Sequence, residues 1–203
     1  VNILFLDVET TGLDPNKHSI IQIAAEYHVN GKLVTAFNKK FCTKDSTTID
    51  LGALRVNNNN LSTIKKLRSQ TTEDPEQMAV TDFVNFILSL NNKEQIIIAG
   101  ENVNFDINFI NALFNKYNIE GFEAVFSHRV IDTATIALFL KDVGLLKIDK
   151  LGLSNVAKAL GLTTDSSKLH DAEYDVQLTA QVYYAMAVLA MSNNLQYLTS
   201  NIN

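Results

Sequence analysis

Ile3-Leu4-Phe5-Leu6-Asp7-Val8-Glu9-Thr10-Thr11-Gly12-Leu13 is the stretch from which the rest of the chain is best read. Ile3 to Val8 is an almost unbroken apolar run rich in branched and aromatic residues, the pattern of a central strand covered on both faces. Thr10, Thr11 and Gly12 end it. Side chains alternate along a strand, so Asp7 and Glu9 point to the same side at its end. Two like charges there repel, and a divalent cation between them relieves the cost; hard oxygen ligands of this kind suit magnesium or manganese. The same two acids also fit an exposed strand mouth beside a turn, and these residues alone leave both readings open.

Outward from this strand, Ile20 to Val29 and Leu33 to Phe41 read as two more strands joined by Asn30-Gly31, a strong hairpin signal. The residues from Ser46 to Asn60 suggest loop and short helix, and Leu61 to Leu67 helix. From Pro75 to Leu90 the apolar residues Met78, Phe83, Phe86, Ile87 and Leu90 recur at helical spacing, with Pro75 placed to open the helix. Gln95 to Ala99 is a compact strand and Phe105 to Tyr117 a helix. Ala124 to Val130 is a weaker strand, followed by a helix from about Asp132 to Leu140. Leu153 to Leu160 forms a helix stopped by Gly161, and a long helix runs from about Asp171 to Met191. An early hairpin followed by alternating strands and helices predicts an α/β fold: a mixed sheet, antiparallel at its opening and parallel later, with helices on both faces.

The chain has 203 residues, 46% hydrophobic and 19% charged, enough for one sizeable core, and no linker or composition shift divides it. One domain over residues 1–203 is expected. No stretch approaches the ~20 uninterrupted apolar residues of a membrane span, and the opening residues lack the basic flank and cleavage site of a secretory signal. No membrane association and a cytoplasmic location are expected. The single Cys42 has no internal disulfide partner and reads as a small buried or half-buried strand residue rather than a reactive thiol. A net charge of −5 speaks against an extended polyanionic partner. The objection weakens if bound metal neutralises several of the acids and if only a short part of such a partner is held.

Two further clusters carry titratable groups. Asp106 follows the strand Gln95 to Ala99 in Gly100-Glu101-Asn102-Val103-Asn104-Phe105-Asp106, where helix capping alone would also place an acid. His170-Asp171-Ala172-Glu173-Tyr174-Asp175 precedes the long last helix. A histidine in a loop, with an unperturbed pKa of ~6.5, can take a proton from water near neutral pH, or can simply be solvated. Asp171, Glu173 and Asp132 read as helix-start charges.

Asp-x-Glu on the first strand, Asn-x-x-Phe-Asp on a central helix and His-x-Ala-x-x-Asp on the last, in that order from Phe5 to Tyr183, resemble the DEDDh exonucleases of the ribonuclease H-like superfamily. That family includes the proofreading subunit of the bacterial replicase. The resemblance implies a five-stranded ribonuclease H-like sheet and a 3′→5′ exonuclease that releases nucleoside 5′-monophosphates from single-stranded ends. By motif position, Asp7, Glu9, Asp106 and Asp175 would hold two magnesium or manganese ions ~3.5 to 4 Å apart, and His170 would act as general base. The resemblance also puts Thr10, Gly12 and Leu13 beside the terminal nucleotide, with Leu13 against its base, and Asn102 and Phe105 nearby. Core packing is the other reading of Leu13 and Phe105.

One departure stands out. The family commonly has His-Asn where this chain has Glu101-Asn102. An acid there would weaken substrate affinity or tune metal binding if it points inward, and do neither if it points outward. The five central positions are intact, which argues against a relative that binds nucleic acid without cleaving it. The substrate reads as a single-stranded DNA 3′ end, by the Thr-Thr-Gly-Leu form of the first motif, with an RNA-trimming enzyme as the alternative. A DNA polymerase is the partner that the proofreading branch suggests; a stand-alone enzyme could share the same core.

Overall fold

The computed structural model describes residues 1–42, 49, 50, 53, 74–90 and 94–200, so the elements expected over 46–60 and 61–67 lie almost wholly outside the described residues. Strands β1 (Asn2–Thr10), β2 (Ile20–Val29) and β3 (Lys32–Lys40) come first, then helix α1 (Pro75–Ser89) and strand β4 (Ile96–Gly100). Helices α2 (Asn104–Lys116) and α3 (Phe122–Val125) lead to strand β5 (Phe126–Asp132), and α4 (Thr133–Asp142), α5 (Leu153–Ala159) and α6 (Ala172–Ser200) complete the order. The five strands form one sheet in the order β3-β2-β1-β4-β5. β1–β2 and β2–β3 are antiparallel, and β1–β4 and β4–β5 parallel. The apolar run of β1 thus takes the central place that its composition predicts.

At the β2–β3 turn, Asn30 and Gly31 both have positive φ, 50° and 80°, the backbone a tight two-residue hairpin requires. β1 alternates cleanly. Leu4, Leu6 and Val8 face one apolar cluster, filled by Val80, Phe83 and Ile87 of α1 and by Phe109, Ile110 and Leu113 of α2. Ile3 and Phe5 face the other side, under Ala172, Val176 and Ala180 of α6. Asp7 and Glu9 continue this second row past the point where α6 begins.

α6 carries two apolar faces. The one just described lies on the sheet, and Leu178, Val182 and Met186 pack against Ala137 and Leu140 of α4 and Val156 and Ala157 of α5. Each large side chain so buried contributes roughly 1.5–3 kcal/mol, and together they fix where α6 starts relative to β1. Among the described residues, no helix is long and apolar enough to cross a membrane.

Boundaries differ from expectation in several places, and the last helix, expected to end at about Met191, runs on to Ser200. The segment expected as a strand from Ala124 is split: Phe122–Val125 closes a short helical turn, and β5 runs on to Asp132. The ring of Phe122 packs 4.5 Å from that of Phe126, a local contact that holds the turn. Cys42 is fully buried but lies just past β3 rather than in it.

After β1 the chain makes a closed loop. The Thr11 N–H donates to Ser19 O at 2.9 Å, and the Ser19 N–H returns a bond to Thr11 Oγ1 at 3.0 Å. Inside it the His18 ring lies so close over Gly12 that an added Cβ would sit 2.2 Å from a ring carbon. The ring is itself anchored, since the Asp14 N–H donates to His18 Nδ1 at 3.1 Å. Gly12→Ala is therefore expected to destabilise the protein by about 1–3 kcal/mol, measured as a lower midpoint in urea; an unchanged midpoint would show the loop yields freely.

Candidate active site

Five carboxylates and one histidine, from three elements and the turns beside them, meet in one pocket of about 340 Å³, lined among others by Asp7, Glu9, Glu101, Asn102, Phe105, Asp106, Leu153, His170 and Asp175. The alternation of β1 delivers Asp7 and Glu9 to it. The first turn of α6 delivers Asp175, one residue before Val176 anchors that helix on the sheet. One oxygen from each of Asp7, Glu9 and Asp175 lies within 4.8 Å of the other two.

Asp106 comes from the first turn of α2, but capping is not its role. The N-cap residue there is Val103, without a side-chain cap bond, whereas Asp106 Oδ1 accepts the Val8 N–H at 2.9 Å. That bond turns its carboxylate toward β1, beside the three-acid set rather than within it.

The electrostatics are those of acids kept from water. Burial pushes the Asp7 carboxyl well above its ordinary range, and the charges of Asp106, Glu9, Asp175 and Glu101 push it further. Asp106, only 3% exposed, is raised by burial to about 8 despite its bond from Val8. Asp175 is also raised by burial, opposed by the His170 backbone N–H, which donates to its Oδ2 at 2.9 Å. Its other oxygen, Oδ1, is buried with no hydrogen-bond partner. An orphaned carboxylate oxygen among other acids is costly in a protein interior, and hard oxygen donors at this spacing fit a divalent cation of the magnesium or manganese kind. Asp7, Glu9 and Asp175 could hold such an ion, with Asp106 adjoining.

Glu101 points inward. It lines the pocket, accepts the Leu153 N–H, and is raised to about 7, first by burial and then by the charge of Asp175. His170 is exposed at the rim with φ 63°, an uncommon backbone state for a residue with a side chain. Asn102, also exposed with positive φ, donates its N–H to Asp132 Oδ1 at 2.9 Å, the carboxylate that caps α4 through the Ala134 N–H.

Of the residues expected beside a terminal nucleotide, Phe105 lines the pocket and also packs 4.9 Å from the ring of Phe109. Thr10 and Gly12 are buried, with Thr10 Oγ1 donating to Gly12 O at 2.7 Å. Leu13 is 76% exposed, which removes the core-packing reading. Asp171 does more than start a helix: it receives Gln22 Nε2 at 3.2 Å and Lys40 Nζ at 2.6 Å. Gln22 and Lys40 went unnoticed in the sequence. Their one trace there is a polar residue, Gln22, inside the otherwise apolar run of β2.

This mixed sheet, with its acids gathered at the end of the central strand, is that of an exonuclease of the DEDD group. The profile of the RNase_T exonuclease family matches residues 4–183, and the chain belongs to that family and is a 3′→5′ exonuclease. It is 25% identical to Ribonuclease T of Buchnera aphidicola, over 88% of this chain and 80% of that protein. It is 30% identical to the PolC-type DNA polymerase III of Mycoplasmopsis pulmonis, over 92% of this chain but only 11% of that one. Among solved structures, Exonuclease I of Methylocaldum szegediense superposes with a TM-score of 0.71 at 16% identity, over 91% of this chain and 40% of that one. Escherichia coli Exonuclease I in complex with a dT13 oligonucleotide gives 0.68 at 20% identity, over 100% of this chain and 44% of that one. The chain spans less than half of these structures.

The raised carboxyls set a pH dependence. Without metal, Asp106 at about 8 and Glu101 at about 7 hold protons in the folded state that the unfolded chain, at ordinary carboxyl values near 4, has released. Their stabilisation is full below the unfolded value and is lost as pH rises through 7 and 8. Thermal melts in chelator should fall steadily from pH 4 to pH 8, and added magnesium should raise the melting temperature at pH 8 far more than at pH 4. A flat profile in chelator would contradict the burial of these acids.

Proposed function

We propose that this chain, as one exonuclease domain, removes nucleotides from the 3′ end of single-stranded DNA with two bound magnesium or manganese ions. The observation that carries the reading is the buried, unpartnered Oδ1 of Asp175, a residue grouped closely with Asp7 and Glu9. Bound divalent ions would supply activation of the attacking water and charge stabilisation for the departing 3′ oxygen. Asp7, Glu9, Asp106 and Asp175 would hold them.

The chain's own groups do the rest. Water attacks the phosphorus of the last phosphodiester, the bond from phosphorus to the 3′ oxygen breaks, that oxygen takes a proton from solvent to become the new 3′ hydroxyl, and a nucleoside 5′-monophosphate leaves. His170, exposed at the pocket rim, accepts the proton of the attacking water and passes it to solvent. Its backbone N–H is held by Asp175, so general base and metal-binding carboxylate are fixed relative to each other. Leu13, projecting into solvent one residue beyond Gly12, offers an apolar surface to the terminal base. Thr10, Gly12, Asn102 and Phe105 complete the nucleotide's surroundings.

DNA is favoured by the likeness to PolC-type DNA polymerase III, which also suggests work beside a polymerase. RNA trimming is the second reading, favoured by the likeness to Ribonuclease T over most of that protein's length. Incubation with 3′- and 5′-labelled single-stranded DNA and RNA, with magnesium or chelator, separates them: a ladder shortening from the 3′ end on DNA, abolished by chelator, is expected. Faster degradation of RNA would transfer the assignment to the second reading, and cleavage insensitive to chelator would overturn the metal mechanism.

Asp7→Ala should abolish hydrolysis while leaving a folded protein, more stable than the parent in chelator because a repelling buried charge is gone. His170→Ala should lose about 10²- to 10⁴-fold in turnover with magnesium binding, read by calorimetry, retained. Loss of the ion in that variant would make His170 a ligand instead of a base.

A further inference from the structure

On the α6 side of the sheet, Glu9, Gln22 and Lys40 stand directly opposite one another across β1, β2 and β3. Glu9 belongs to the carboxylate set, and the other two residues of the row, Gln22 and Lys40, reach Asp171, the residue after His170. Gln22 is a fully buried amide, 2% exposed, and it bonds in three directions. Its Nε2 donates to Asp171 Oδ1 at 3.2 Å and to Asn38 Oδ1 at 3.0 Å, and its Oε1 accepts the Ala172 N–H at 3.3 Å. Lys40 Nζ donates to Asp171 Oδ2 at 2.6 Å, so both oxygens of that carboxylate are taken by the sheet.

A helix cap needs none of this. Asp171 Oδ1 already accepts the Glu173 N–H at 3.1 Å, which is sufficient to start α6. A second link from β3 to the same turn runs through Asn38 Nδ2, which donates to Glu173 Oε2 at 2.7 Å. What the extra bonds surround is His170, whose φ of 63° is a strained state that persists only where neighbouring structure over-determines it. On one side its N–H is held by Asp175; on the other, the next residue is clamped by Gln22 and Lys40.

We propose that Gln22 and Lys40, acting through Asp171, are positioning residues that hold His170 over the metal-binding carboxylates in the orientation proton transfer requires. This inference rests on the reading of His170 as the general base. The clamp carries its effect through one backbone segment: release of Asp171 lets the strained turn relax and the imidazole swing out toward solvent, while Asp7, Glu9, Asp106 and Asp175 stay in place. Turnover then falls without loss of the ion or of substrate, because a misplaced base harms only the transition state.

The test is a double-mutant cycle between Gln22→Met, which keeps the length of the side chain and removes its hydrogen bonds, and His170→Ala. Single-turnover rates on a single-stranded 3′ end with magnesium, KM, and magnesium affinity by calorimetry are measured for each. In the parent, Gln22→Met is expected to lower the rate about 10- to 100-fold, with KM and magnesium affinity changed by less than about twofold. In the His170→Ala background the same substitution is expected to change the rate by less than about twofold, since there is no base left to misplace. Asp171→Asn, which can still accept from Gln22, should retain more of the rate than Asp171→Ala. Should Gln22→Met fail to fold, Lys40→Met, at an exposed edge position, carries the same cycle. Equal losses in both backgrounds, or weakened magnesium binding, would overturn the clamp while leaving the base assignment standing. Full turnover by His170→Ala alone would overturn the base assignment and the clamp with it.

Discussion

Mutual repulsion among carboxylates withheld from water is the constraint around which this protein is built. Asp7 and Glu9 sit on the central strand in the row that, two residues earlier, is Phe5 under α6, and Asp175 is brought against them by the first turn of that helix. An interior tolerates such a set only with a compensating charge or with bound protons. The raised carboxyls and the orphaned Asp175 oxygen are two expressions of the same unpaired charge. Stability has been given up locally for a site whose natural complement is a cation.

The rest of the fold makes that placement rigid. α6 is the element on which most depends, since its two apolar faces lock it both onto the sheet and against α4 and α5. Asp106 reaches β1 by accepting a backbone N–H, a directional bond that also ties α2 to the strand. Gln22 and Lys40, in backbone register with Glu9 across β2 and β3, carry polar links from the sheet to Asp171 and so to the turn bearing His170. The clustered acids and the histidine thus sit on neighbouring parts of one packed framework, although they come from opposite ends of the chain.

Glu101 gives the pocket a fifth acid. Its carboxylate faces inward and is tethered to the Leu153 N–H at the start of α5, so it adds negative charge where a phosphate must approach. The cost to an anionic ligand there is Coulombic, and any cation held by the acids would reduce it.

Patterns with a short period were legible from the residues alone. The apolar run of β1, the Asn30-Gly31 hairpin, the order of strands and helices and the pairing of Asp7 with Glu9 on one face follow from local backbone geometry, which adjacent residues dictate. Whether Asp106 was a cap or an inward acid, whether Leu13 was core or surface, and which way Glu101 faced depended on partners tens of residues away. The bond from Val8 to Asp106 spans a gap that no local pattern encodes, and Gln22 looked like one polar residue in an apolar strand until α6 lay beside it. Sequence determined the type of each element and the identity of the acids. Only tertiary packing, which fixes distances between segments through burial and directional hydrogen bonds, decided that those acids and the histidine share a pocket.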